Sequence, residues 1–107
     1  MVRRVIWSPD ARRSFDEAIA WLQERDDRAA QDVRAYLDAW VQRVADLKLG
    51  TPHRWEGCLT VGSPKYAKRI IYRPSGDGIE IIAFRDTRQD NDAFDFVMLV
   101  NNQFAIP

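Results

Sequence analysis

Apolar residues recur at helical spacing through the first half of the chain and in short runs through the second, and the period changes near Gly50 and Pro52. Residues 2–7, VRRVIW, are rich in β-branched and aromatic side chains and stop at Ser8-Pro9, which predicts a short strand running into a helix. Ser8 can accept from a first-turn N–H as N-cap, and Pro9 at the first helical position loses no needed donor. Ala11, Phe15, Ala18, Ile19 and Leu22 then share one helical face, so a first helix is expected to about Glu24. Asp26 or Asp27 offers the next N-cap. A longer stripe follows through Ala29, Val33, Tyr36, Leu37, Trp40, Val41, Val44 and Leu47, and Gly50 and Pro52 should end it. With so few residues between the stripes, the helices should form an antiparallel hairpin turned to one core.

Beyond Pro52 the runs CLTV at 58–61, YAKRIIYR at 66–73 and IEIIAF at 79–84 predict strands. The segment 74–78, PSGDG, has the composition of a five-residue hairpin turn and makes the last two antiparallel neighbours. Residues 94–100, FDFVMLV, form either one more strand or a docked tail. The expected class is α+β: a strand, a helix hairpin, then an antiparallel sheet of three or four strands.

At 107 residues the chain fits one domain, 1–107, and folding should remove roughly two-thirds of the unfolded surface from water. Cys58 is the only cysteine, so no internal disulfide can form, and a reducing, cytoplasmic setting is expected. The start MVRRVIWSPD lacks the apolar core of a signal segment, and no run reaches the ~18 apolar residues of a spanning helix, so no membrane partner is expected. Net charge is zero, but it is segregated along the chain. Residues 48–73 carry Lys48, Arg54, Lys65, Lys68, Arg69 and Arg73 against Glu56, whereas 77–95 carry six acidic residues against Arg85 and Arg88. Such segregation fits an acidic partner at one patch and a basic one at another, or simply a solvated surface.

Alternation along the YAKRIIYR strand places Lys65, Arg69 and Arg73 on one face and Tyr66, Lys68, Ile70 and Tyr72 on the other. Guanidinium groups beside aromatic or aliphatic surface suit phosphate contact and base stacking; the plainer alternative is a solvated sheet face. Asp86 in AFRDTRQD can turn its carboxylate onto backbone N–H groups two residues on, ending the strand and aiming Arg88. Asp86, Asp90, Asp92 and Asp95 lack the glycine and distal glutamate of a calcium loop, so neither a metal nor any other cofactor is expected. His53, the sole histidine, sits in a loop where positioning outranks catalysis, and no serine or cysteine has an evident histidine partner. Tryptophans and tyrosines on the helices are expected in the core.

The element order, together with VIWSPDAR, YAKRIIYR and the IEIIAFRDTRQD close, resembles the RelE/ParE superfamily of type II toxin–antitoxin toxins, over residues 4 to about 90. The resemblance implies a small α+β toxin, linked to plasmid stabilisation and growth inhibition. It also implies that a partly disordered, often acidic antitoxin segment neutralises it, which would suit the basic stretch 48–73. Taken with the strand and turn readings, it places the expected partner- or target-binding positions at Lys65, Lys68, Arg69, Arg73, Arg85, Asp86, Arg88 and Phe94. The RelE-like branch cuts mRNA on the ribosome with arginines and a C-terminal tyrosine or histidine. Here Arg69 and Arg88 match the arginines, but the tyrosine position falls on Phe94 and the upstream lysines fall near Thr60 and Gly62. Phenylalanine cannot transfer a proton, so cleavage would need His53 or go without that help. The ParE-like branch instead binds and poisons DNA gyrase. That reading leads, followed by a ribosome-dependent endoribonuclease and then by a degenerate, non-toxic interaction domain that has kept the fold and its partner groove but lost its cellular target.

Overall fold

The computed structural model describes residues 3–87. Two helices lie on a five-stranded mixed sheet: β1 (Val5–Trp7), α1 (Pro9–Arg25), α2 (Asp27–Leu47), β2 (Thr51–Pro52), β3 (Leu59–Gly62), β4 (Lys68–Ser75) and β5 (Gly78–Asp86). The sheet order is β1-β5-β4-β3-β2. Three pairings are antiparallel as expected, but β1 lies parallel to β5, with Val5 opposite Ile79 and Trp7 opposite Ile81. The expected purely antiparallel sheet is therefore mixed. Pairing across more than seventy residues leaves no mark on local composition, whereas a hairpin does. The segment 94–100 and residues Arg88 and Phe94 lie outside the described residues.

Local chemistry sets the helix ends. Ser8 Oγ accepts from Ala11 N at 3.1 Å and Pro9 follows it. Asp26 Oδ1 accepts from Ala29 N at 3.1 Å, so Asp26, not Asp27, caps α2. Its far end closes earlier than Gly50: Lys48 adopts the left-handed conformation at φ 54° and donates its N–H to Val44 O at 2.7 Å. Leu47, placed on the apolar stripe by spacing, is instead 59% exposed, while Ala30 and Ala45 are sealed in the core.

The core fills the space between the helices and one sheet face. Phe15 of α1, Trp7 of β1 and Phe84 of β5 meet with ring centroids 5.1 to 6.3 Å apart, and Leu37, Trp40 and Val44 of α2 pack in the same cluster as Ile70, Tyr72, Ile79 and Ile81. Each such side chain is worth roughly 1.5–3 kcal/mol when withdrawn from water. Tyr72 is fully buried and its hydroxyl donates to Leu49 O, tying β4 to the segment after α2. Burial holds its phenol above the ordinary range. The β4–β5 turn is tighter than expected: pairing continues to Ser75 and Gly78, and only Gly76 and Asp77 turn the chain, with Gly76 at φ 58°.

Candidate functional site

Register divides the sheet into two faces. Opposite Ile71 stands Ala83 and opposite Tyr72 stands Ile81, so Ile82 is an extra residue in β5 and the alternation there shifts by one. Leu59, Val61, Ile70, Tyr72, Ile81 and Phe84 consequently face the helices. Thr60, Gly62, Arg69, Arg73, Glu80 and Arg85 alternate with them and face away.

The basic residues named from sequence separate into different surroundings. Lys65 precedes β4 in a turn, and its ammonium lies 5.6 Å from the Tyr36 ring centroid and 5.3 Å from that of Tyr66. It belongs with α2, not with Arg69 and Arg73. Lys68 and Asp86, directly opposite in register, form a 2.9 Å ion pair on the helix side with side chains 13% and 18% exposed. Asp86 thus stays within β5 and meets a lysine; the N–H of residue 88, its expected turn partner, lies outside the described residues. The strand closes differently, with Thr87 N and Oγ1 both donating to Ala67 O. Arg73 is held by Glu80 across the ladder at 2.7 Å.

Arg69 stands apart from these pairs. Its Nη1 donates to Thr60 Oγ1 at 3.1 Å, and among the described residues it makes no ion pair. Its guanidinium lies over Gly62, where a Cβ would come within 3.3 Å of Nη2. A glycine on β3 therefore gives the arginine room to lie across the strand. Directly opposite Arg69 on β5 stands Arg85. Two like charges thus stand at opposed positions of the ladder on one face.

The loop after β2 overhangs this face. His53 N donates to Cys58 O and Cys58 N to Trp55 O, closing the loop on itself. The His53 and Trp55 rings meet edge to face at 4.8 Å, and the Arg85 guanidinium lies 5.9 Å from the Trp55 ring centroid. Burial, then the charges of Arg54, Arg85 and Arg69, hold the His53 imidazole below its ordinary range, so it is neutral near pH 7. Its Nε2 is buried without a hydrogen-bond partner among the described residues. Trp55, 37% exposed, is the residue that sequence reasoning missed. Its signal was its position outside both apolar stripes, between Arg54 and Glu56. Trp21, expected in the core, is also exposed, with Arg25 stacked 3.8 Å over its ring.

On the opposite side a groove of about 460 Å³ runs between α2 and β3, lined in part by Tyr36, Trp40, Arg43, Leu49, Val61 and Pro64. Among the described residues no cluster of histidine, cysteine and carboxylate side chains could hold a metal ion, and of the four aspartates weighed for one only Asp86 is described. Among them, too, no helix is long and apolar enough to cross a membrane.

A helix hairpin covers one face of the sheet, and Arg69, Arg73 and Arg85 stand on the other. This fold is shared with a chain of a solved structure titled "Chromosomal ParDE TA system from P. aeruginosa", with a TM-score of 0.59 at 19% identity over 79% of this chain and 96% of that one. The family model "ParE toxin of type II toxin-antitoxin system, parDE" matches residues 5–91, and the chain belongs to that family. No curated protein sequence gives a significant match.

Proposed function

We propose that the protein is a ParE-type toxin that acts by binding DNA gyrase rather than by cutting RNA, and that a cognate antitoxin neutralises it. One observation carries the preference for binding: no tyrosine stands on the arginine-bearing face, and the one histidine that reaches it has its Nε2 buried. All three tyrosines and the sole histidine fall within the described residues. Tyr72 is sealed in the core, Tyr36 and Tyr66 pack edge to face at 5.1 Å on the helix side, and the Nε2 of His53 is buried. No tyrosine stands beside Arg69 to move a proton, and His53, which reaches that face through its loop, keeps its Nε2 buried. Arg88 matches the second arginine of the RelE-like branch in sequence, but Phe94 stands where that branch's tyrosine is expected and adds no acid or base.

The antitoxin fits the groove between α2 and β3. Its walls are mainly apolar, Arg43 lies among them, and exposed Leu47 and Leu49 stand near the end of α2. An amphipathic segment with acidic residues beside its apolar anchors would match that surface.

Induced expression without antitoxin is expected to stop growth with DNA breaks that depend on gyrase, and purified protein should inhibit supercoiling by gyrase. Early arrest of translation with cuts in ribosome-bound mRNA would replace this reading with the endoribonuclease. Unimpeded growth with folded protein would leave only the interaction domain.

A further inference from the structure

We propose that in the free protein the groove between α2 and β3 is covered by the chain's own C-terminal segment, residues 90–100, and that an antitoxin must displace it. The consequence for neutralisation rests on the antitoxin reading of the groove. The docking itself rests on this chain alone.

The first observation is where β5 hands on the chain. Thr87 N and Oγ1 both donate to Ala67 O, so the strand leaves the sheet at the turn that joins β3 to β4. The same turn brings Pro64 to the groove wall and sets Lys65 5.6 Å from the ring centroid of Tyr36, another wall residue. Residues 88–93, fully extended, reach roughly 20 Å, about twice what the three steps from Ala67 back to Pro64 can span. Phe94 therefore arrives at the mouth of the groove.

The second observation is complementarity. The run FDFVMLV at 94–100 is apolar but for Asp95, and Asp90 and Asp92 lie just before it. The groove offers Tyr36, Trp40, Leu49 and Val61 as apolar walls with Arg43 among them. Neither Arg43 nor Lys65 makes an ion pair among the described residues. Phenylalanine rings thus have walls to enter, and the aspartates have two cations at the rim. Left in water, such an apolar run favours association between chains. The other side of the sheet suits it less, because the side chains there are mostly polar and Ile71 among them is already only 5% exposed.

An external segment of the same chemistry then meets an occupied site. A short tether holds the tail at an effective concentration in the millimolar range, and a competitor's apparent affinity falls by the fraction of chains whose groove is clear.

The test uses the full 107-residue chain. In the wild type, NOEs should join the ring protons of Phe94 and Phe96 to the methyl groups of Leu49 and Val61, and mixing isotope-labelled with unlabelled chains should show them to be intramolecular. A fluorescein-labelled peptide of residues 88–107 then serves as the competitor. Phe96→Asp in the full chain should release the tail and let the peptide bind roughly tenfold or more tighter than to wild type. Adding Arg43→Glu to that variant should weaken the peptide again by roughly tenfold. Thermal melts check that each variant folds. Ring contacts to Ile71 in place of Val61, contacts between chains, equal peptide affinity for wild type and Phe96→Asp, or binding indifferent to Arg43→Glu would each overturn the proposal. Growth arrest on induced expression is read separately. Arrest without groove contacts defeats this inference alone, and groove contacts without arrest defeat the functional reading alone.

Discussion

Ser8 Oγ donates to the carbonyl of Ile82 at 3.0 Å while accepting the N–H of Ala11, so one hydroxyl joins the start of α1 to the bulge in β5. The neighbouring backbone reinforces the link, with Ser8 N donating to Ile81 O at 2.9 Å. The bulge shifts which side chains face the core, bringing Phe84 inward and turning Arg85 out beside Arg69. A helix cap is thus also a support for the candidate site. Ser8→Ala removes both side-chain bonds and should cost about 2 kcal/mol, more than a cap alone at ~1 kcal/mol. Chemical denaturation of the two proteins measures it. A loss no larger than that of an ordinary cap would mean that the bulge stands without the serine.

Lys68 and Asp86 test a different link, because their ion pair is mostly shielded from water. Replacing the lysine removes the 2.9 Å ion-pair partner of Asp86 at the far end of the β4–β5 ladder. Lys68→Met should therefore destabilise by about 2 kcal/mol, below the full cost of a buried pair because some solvent reaches it. A double-mutant cycle with Asp86→Asn should give a coupling of about 1 kcal/mol or more. Additive effects would show that the two act independently.

Much of this fold was legible because it is local. SPDAR reads as strand, cap and helix start because Ser8, Pro9 and the Ala11–Phe15–Ile19 stripe each act within a few residues of one another. The hairpin of β4 and β5 was legible from Gly76 and Asp77 for the same reason. The parallel partner of β1 was not, since nothing in VIW points to Ile79, and the extra residue Ile82 was hidden in a continuous apolar run. That hidden residue decides the site. Strict alternation along β4 alone grouped Lys65 with Arg69, and only the turn before Lys68 shows that Lys65 belongs to Tyr36 and α2. Arg69 was found from its strand, while Trp55 and His53 reach the same face through the overhanging loop, a tertiary placement that spacing does not encode.

Gly78 marks the junction of β5 with β1. A methyl group there would fall 1.8 Å from the carbonyl oxygen of Arg4, the same oxygen that accepts the N–H of Ile79 at 2.9 Å. Backbone cannot give way as a flexible side chain can, so Gly78→Ala should displace β1 and cost about 3 kcal/mol. Gly76→Ala makes the comparison. It sits two residues away in open space, and only its positive φ of 58° opposes a side chain, so about 1 kcal/mol is expected. Denaturation midpoints for the pair separate steric conflict from backbone preference. Equal losses would show that β1 adjusts to the methyl group.

His53 gives the fold a dependence on pH whose sign follows from its surroundings. Burial and then the charges of Arg54, Arg85 and Arg69 disfavour the imidazolium, so its folded value lies below the ordinary 6.5. Near and below 6.5 the unfolded chain takes up a proton that the folded chain resists, and stability rises with pH wherever the unfolded state binds more protons. The contribution is therefore present in full above about 6.5 and is lost as pH falls through the folded value. Carboxylates elsewhere also respond to acid, which makes a difference measurement the useful one. Wild type and His53→Leu should be melted in parallel from pH 7.5 down to about 5, and the wild type should lose more of its stability over that interval. An imidazole titration followed by NMR should place the midpoint below 6.5. A midpoint at or above that value would mean the ring is more solvated, or the arginines farther from it, than the fold places them.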